Sequence, residues 1–499
     1  MPSTDEYPAP RSHPVPRLGQ AVVSGYAWLL FLTVSGRGVQ LLGQMVLAWL
    51  LTPADFGSIG LAYTVTTFVN AIINPGIDDV LVQRGRHLRH WTNAAFWLSL
   101  SLATIGAIAM IAAAPVSAQL YREERVSGLI MVLALAAPIS ALSLVPLAIL
   151  RASLKFRLLA GISLAELTAL QGLSVLFAYL GFGAYSFVVP VPLTMAGRAL
   201  ATWLCAAPRI RFDPQLRRWR YLIGDGAAVF IRRVVTTVVA QGDYVALGLL
   251  ASPPVVGIYY FAYSLAVLPL RAFVSNLANV MFPALVLLAR DPTRQAEVAL
   301  KSSRIVGSLF VPLCFLQAAI CRPGLDLIFG SKWNAAVPLF QILSVGFAFD
   351  AVGWLAAALL QARGEFWRNA WYGCLTAAVF LPLVAIGGWR WSALGVATAV
   401  ALYHTITVPI YFYAVLRRHG VSWREVAALY LVPATLASLS VGAALALSRV
   451  IRGASYHDLD EIALVTIVSV VLYFLMSYPF SKSMWQEVWL RTRVLGWRR

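Results

Sequence analysis

Five arginines lie inside long apolar runs of this 499-residue chain: Arg37, Arg198, Arg232, Arg233 and Arg271. A charge at bilayer depth costs several kcal/mol, so such a residue pairs, lines a wet cavity or meets a ligand. The planar guanidinium fork grips phosphate oxygens two at a time. Arg37, Arg232, Arg233 and Arg271 share only three of the apolar runs, and this clustering predicts an anion site that a diphosphate would fit. Arg232 and Arg233 are adjacent, so only one of them can point inward. The deep carboxylates Asp243 and Asp350 can take up a proton or Na⁺ and link binding to an ion gradient, or they can neutralise a nearby arginine. Glu166 and Arg198 read as a structural ion pair.

Around these charges run polar stripes at helical spacing. They comprise Arg37, Gln40 and Gln44; Tyr63, Thr67, Asn70, Asn74 and Asp78; Arg233, Thr237, Gln241 and Tyr244; and Tyr260, Ser264, Arg271, Ser275 and Asn279. Each stripe gives its helix one wet face. Gln40, Gln44, Asn70, Asn74, Gln241 and Ser275 are the expected cavity-lining residues, although stripes of this kind also join helices by hydrogen bonds across a bilayer.

The elements that carry the stripes follow from composition. Sixty per cent of residues are apolar, 12% are charged, and the mean hydropathy is +0.75, so lipid is the solvent. About 20 apolar residues cross a bilayer. The chain divides into roughly fourteen helices on that measure, starting near 26, 56, 91, 126, 159, 184, 222, 254, 300, 334, 367, 391, 426 and 459. The net charge of +18 sits in short clusters between the runs and forms no nucleic-acid face. Placing both termini in the cytoplasm puts the clusters Arg84/Arg86/Arg89, Arg217/Arg218/Arg220 and Arg417/Arg418 inside, as the positive-inside bias requires. The four cysteines form no CxxC pair and have no histidine at ligand spacing, so no metal or other cofactor is expected. The sequence has no nucleotide-binding P-loop, HExxH or GxSxG, which argues against catalysis or ATP-driven pumping by this chain.

Leu50, Pro53, Gly57 and Ala62-Tyr63 recur about 200 residues later as Leu250, Pro253, Gly257 and Ala262-Tyr263. Six spans separate the copies, so the halves enter the membrane in the same sense and relate by an axis along its normal. The expected organisation is a disordered cytoplasmic tail at 1–17 and a six-helix N-lobe at 18–208. A cytoplasmic linker at 209–221, a six-helix C-lobe at 222–418 and two further helices with a basic tail at 419–499 complete it.

The runs LAWLLTPADFGSIGLA (47–62), GIDDVLVQR (76–84), PLAILRASLKFR (146–157), GDYVALGLLASPPVVGIYYFAYSLAVLPL (242–270), FPALVLLARDP (282–292) and FGSKWNAAVPLFQIL (329–343) resemble those of Wzx-type polysaccharide exporters. That family belongs to the superfamily of multidrug, oligosaccharidyl-lipid and polysaccharide flippases. The resemblance implies two six-helix lobes around a V-shaped cavity in a bacterial inner membrane. The implied cargo is an undecaprenyl-diphosphate-linked oligosaccharide, carried to the periplasmic leaflet for O-antigen, capsule or exopolysaccharide assembly, with a polymerase and other assembly proteins as partners. Asp78-Asp79 depart from the family pattern of small or apolar residues there. A drug or cation exporter of the same architecture would line its cavity with carboxylates and aromatics. A membrane polymerase or ligase would call for longer external loops.

Overall fold

In hydrocarbon, backbone N–H and C=O groups find partners only within a helix or a closed barrel, and the computed structural model takes the first route. It describes residues 35–73, 88–153, 155–208, 210–223, 227–270, 281–282, 285–288, 291–451 and 457–496. The helices are α1 (35–50), α2 (Pro53–Ile73), α3 (Leu88–Tyr121), α4 (Arg125–Ala152), α5 (Phe156–Tyr179), the short α6 (Tyr185–Val188), α7 (Pro190–Ala206), α8 (Leu216–Ile223), α9 (Ala227–Leu250) and α10 (Pro253–Ala266). They continue with α11 (Pro292–Phe329), a 3₁₀ turn (Gly330–Ala336), α12 (Val337–Ala362), α13 (Phe366–Leu416), α14 (Trp423–Ile451) and α15 (Asp458–Gly496).

Their starts are written locally. Thr52 and Asp55 form a capping box: Asp55 accepts from the Thr52 backbone N–H at 3.0 Å, and the Thr52 hydroxyl accepts from the Asp55 N–H at 3.3 Å. Ser422 and Glu425 repeat the arrangement before α14, and Asp291 caps α11 through the Arg294 N–H.

Among the described residues, nine stretches are long and apolar enough to cross a membrane, and two of them, Pro292–Ala362 and Phe366–His419, each hold a pair of helices. In the first, Gln317 donates to Ser344 and Ser303 to the Val352 carbonyl, so α11 and α12 run antiparallel about the 3₁₀ turn. In the second, α13 breaks at Trp391 and at Ser392, whose φ is +51°, and its two limbs fold back with Gly387 against Gly395. The break coincides with the span start expected near 391. Trp367 and Trp371 lie exposed at one end of the first limb, Trp389 and Trp391 at the other. Trp367 and Trp389 are separated by 389 − 367 = 22 residues, about 33 Å of helix at 1.5 Å per residue, so the tryptophans fall where both membrane interfaces would be. The chain is an all-α multi-pass membrane protein.

The sequence repeat becomes a physical contact. A Cβ added at Gly57 would strike the Pro253 carbonyl, and one at Gly257 would strike the Pro53 carbonyl. The α2 and α10 backbones therefore meet reciprocally at the residues that head each repeat. Small residues permit this approach, and packing at such range is a main source of helix association in lipid. Beside it, Lys332 Nζ donates to the Ala48 and Trp49 carbonyls at 2.9 and 2.8 Å, and Trp333 Nε1 donates to Ala48 at 3.2 Å. These carbonyls belong to the last turn of α1, where no intrahelical donor remains and the helix dipole favours a cation. Trp333 stacks on Phe261 at 4.0 Å and meets Phe56 edge-on at 5.3 Å.

Gly57→Val or Gly257→Val should each lower the thermal stability of the detergent-solubilised protein by roughly 1–3 kcal/mol, the cost of overpacking a tight contact. The double variant should lose less than the sum, since both changes part the same two backbones. Differential scanning fluorimetry would read this, and additive losses would contradict a shared contact.

Candidate substrate cavity

Consecutive faces of four helices, together with one residue of α1, enclose a cavity of about 720 Å³, within the ordinary range for small-ligand sites. From α9 come Arg232, Val235, Thr236 and Val239, a stripe spaced by three and four residues. From α12 come Phe347, Asp350 and Trp354, and from α10 comes Tyr263. The first limb of α13 gives Asn369, Tyr372 and Thr376, and its returning limb gives Tyr403, His404, Thr407 and Tyr411. Arg37 is the contribution of the first half of the chain. The surface is thus an aromatic wall with a few polar groups and cations supplied by both halves.

The cations are held in position. Arg37 Nη1 donates to Gln40 Oε1 at 3.2 Å, which stands one turn along α1. With the Gln361 amide turned so that its oxygen faces Arg232, both terminal guanidinium nitrogens donate to that oxygen at 2.9 Å. Asn369 and Tyr411 lie on the neighbouring wall, where the Tyr411 hydroxyl donates to Asn369 Oδ1 at 3.2 Å. Of the adjacent pair on α9, Arg232 lines the cavity, while Arg233 is half-buried outside that lining.

The two carboxylates separate. Asp350 lines the cavity with Oδ1 3.3 Å from His404 Nδ1. Asp243 is buried away from the lining, where its carboxylate accepts from the Tyr259 hydroxyl at 2.6 Å and from the Tyr244 N–H at 2.9 Å. Tyr263 joins the two regions: its ring touches those of Tyr244 and Tyr259 on one side and the cavity on the other.

The expected polar lining divides in the same way. Gln40 sits against Arg37 beside the cavity. Gln44 donates to Ser264 at 2.6 Å, joining α1 to α10, and Gln241 accepts from Thr64 at 3.3 Å, joining α9 to α2. Asn70 is exposed on α2. Arg271, Asn74, Ser275 and the Asp78-Asp79 pair lie outside the described residues. Glu166 and Arg198 meet at 3.2 Å, joining α5 to α7. The sequence reading missed His404, Asn369 and the aromatic wall of Trp354, Tyr372, Tyr403 and Tyr411. The signal for His404 was present, since it is an ionisable residue within an apolar run. The signal for the wall was the spacing of Tyr403, Thr407 and Tyr411.

A family model described as polysaccharide biosynthesis protein matches residues 46–338. The lipopolysaccharide biosynthesis protein WzxC of Escherichia coli is 23% identical over 451 residues, covering 87% of this chain and 89% of that protein. The succinoglycan biosynthesis transport protein ExoT of Rhizobium meliloti is 22% identical, covering 80% of this chain and 81% of that protein. Among solved structures, the lipid II flippase MurJ in its inward closed conformation superposes with a TM-score of 0.73. That match covers 91% of this chain and 99% of MurJ at 11% identity, a likeness of fold.

If Arg232 is the member of its pair that meets the ligand, Arg232→Gln should weaken binding of a polyprenyl diphosphate about tenfold or more. A charge-assisted contact contributes roughly 1.5–3 kcal/mol. Arg233→Gln should change it far less. Isothermal titration on both purified variants distinguishes them, and equal losses would remove the assignment.

Proposed function

Because this chain belongs to the polysaccharide biosynthesis protein family, we propose that it is a flippase. Its cargo is an undecaprenyl-diphosphate-linked oligosaccharide, which it carries from the cytoplasmic to the periplasmic leaflet of a bacterial inner membrane for O-antigen, capsule or exopolysaccharide assembly. The observation that carries this reading is that Arg37 from one half of the chain and Arg232 from the other line one cavity faced with aromatic side chains.

The geometry divides the cargo into three parts. The diphosphate takes its charge-assisted hydrogen bonds from Arg37 and Arg232, with Arg271 completing the cationic set on the sequence reading. Sugar rings present apolar C–H faces to Trp354, Tyr372 and Tyr411, and sugar hydroxyls meet Asn369, Thr376 and Thr407 around the same cavity. The polyprenyl chain stays in lipid, since burying it in a cavity of this size would gain nothing over the bilayer. Transport by alternating access then requires the two lobes, 18–208 and 222–418, to part at the α2/α10 junction and close elsewhere. In this arrangement both termini face the cytoplasm, and residues 419–499 flank the C-lobe. A polysaccharide polymerase receiving the cargo at the outer leaflet is the expected partner. The chain performs no covalent step: the work is binding, charge compensation and rearrangement.

The test is flipping of a fluorescent undecaprenyl-diphosphate oligosaccharide in proteoliposomes. Wild-type protein should flip it well above the protein-free rate. Arg37→Ala and Arg232→Ala should each reduce the rate about tenfold or more, at the magnitude of one lost charge-assisted contact. Wild-type vesicles indistinguishable from protein-free ones would sink the flippase reading. Full activity in both well-folded variants would sink the diphosphate site.

A further inference from the structure

We propose that Asp350 and His404 form an exchangeable-proton site whose occupancy is linked to anion binding in the cavity. This inference rests on the transport reading above and adds a second ligand, a proton, to the same cavity.

The pair is built by helix packing. Gly346 on α12 packs against Ala401 of the returning α13 limb, and Gly353 packs against Val408. Asp350 and His404 fall between these two contacts, on the same faces. The close approach therefore fixes the 3.3 Å separation between carboxylate and imidazole. Phe347 and Tyr403 each meet the His404 ring edge-on, at 5.4 and 5.1 Å. Nδ1 is buried with no hydrogen-bond partner, its angle to Asp350 being poor despite the distance. The Asp350 side chain is 39% exposed, the His404 side chain 13%. Both members line the cavity, the carboxylate being the more exposed of the two, which suits a proton that enters through the carboxylate and is shared with the ring. An imidazole within an apolar helix has no structural need for charge.

The surrounding charges supply the linkage. Arg37 from α1 and Arg232 from α9 line the same cavity, and both disfavour a further positive charge. Tyr403 from α13 borders His404, and Tyr263 from α10 lines the same cavity. Asp243 on α9 interacts electrostatically with His404, and Tyr430 on α14 with Asp350. An arriving diphosphate cancels the repulsion from the arginines, so the protonated pair becomes easier to form. By reciprocity, protonation must strengthen anion binding by the same factor. The imidazole nitrogen favours a proton over Na⁺, which prefers oxygen ligands.

The probe is an undecaprenyl-diphosphate monosaccharide, a diphosphate diester with no group that titrates near neutrality. Its affinity for the intact wild-type protein, measured by titration calorimetry between pH 6 and 8, should fall several-fold as pH rises. Buffers of different ionisation heat should report proton uptake on binding. Asp350→Asn and His404→Gln should flatten the pH dependence whatever their absolute affinity, while Asp350→Glu should restore it. Arg37→Lys should weaken binding and keep the wild-type slope. A pH-independent wild-type affinity without proton uptake overturns the proposal even if neither variant folds. So does a wild-type slope in folded Asp350→Asn, or a dependence on Na⁺ in its place. Absence of wild-type binding at every pH would instead strike the transport reading on which the proposal rests.

Discussion

The backbones of α2 and α10 touch where Gly57 meets the Pro253 carbonyl and Gly257 meets the Pro53 carbonyl. Lipid gives two apolar helices no hydrophobic reason to prefer each other over acyl chains, so close van der Waals approach and polar bonds must hold them. Here the approach is as near as main chains allow. It also fixes the pseudo-symmetry, because the residues that make it are the same residue types at equivalent positions of the two copies. Everything deeper along these helices, including the stripe residues that bond across and the cavity that follows, inherits its register from this contact.

Polar side chains inside the bundle serve two purposes, separated by depth and partner. Gln44 with Ser264 and Gln241 with Thr64 are engaged in bonds between the halves. Arg37 and Arg232 are each steadied by one neutral glutamine, and among the described residues no carboxylate forms an ion pair with either, so their charge remains available to the cavity. The distinction rests on chemistry: an amide bonded to a hydroxyl is a neutral link between helices, whereas an arginine bonded to an amide keeps its positive charge.

Much of this was legible in the sequence because lipid imposes regular rules on it. Apolar length gave the helices, and the shared offset of Pro53 and Gly57 with Pro253 and Gly257 gave the repeat, though not the contact between its copies. Arg37 and Arg232 stood out because charge is costly at depth. The separate fates of Gln44 and Arg37, one turn pair apart on α1, were not legible: both lie on one helical face, and which partner stands opposite is a tertiary fact. Trp354 and Tyr372 were invisible for a different reason, since an aromatic residue in a bilayer helix reads equally as packing, lipid contact or lining. His404 was legible but overlooked, its meaning residing in an Asp350 partner 404 − 350 = 54 residues away.

The bonds from Lys332 and Trp333 to α1 end on main-chain carbonyls of Ala48 and Trp49. A clasp that reads the main chain is indifferent to the side chains presented there. It asks only that a right-handed helix terminate at that place with its carbonyls free. The two sides of the clasp therefore carry unequal burdens under mutation. The α1 end is free to drift in sequence as long as it still ends, while the lysine and the indole on the other side, each donating a proton that no apolar substitute offers, are bound to their identity.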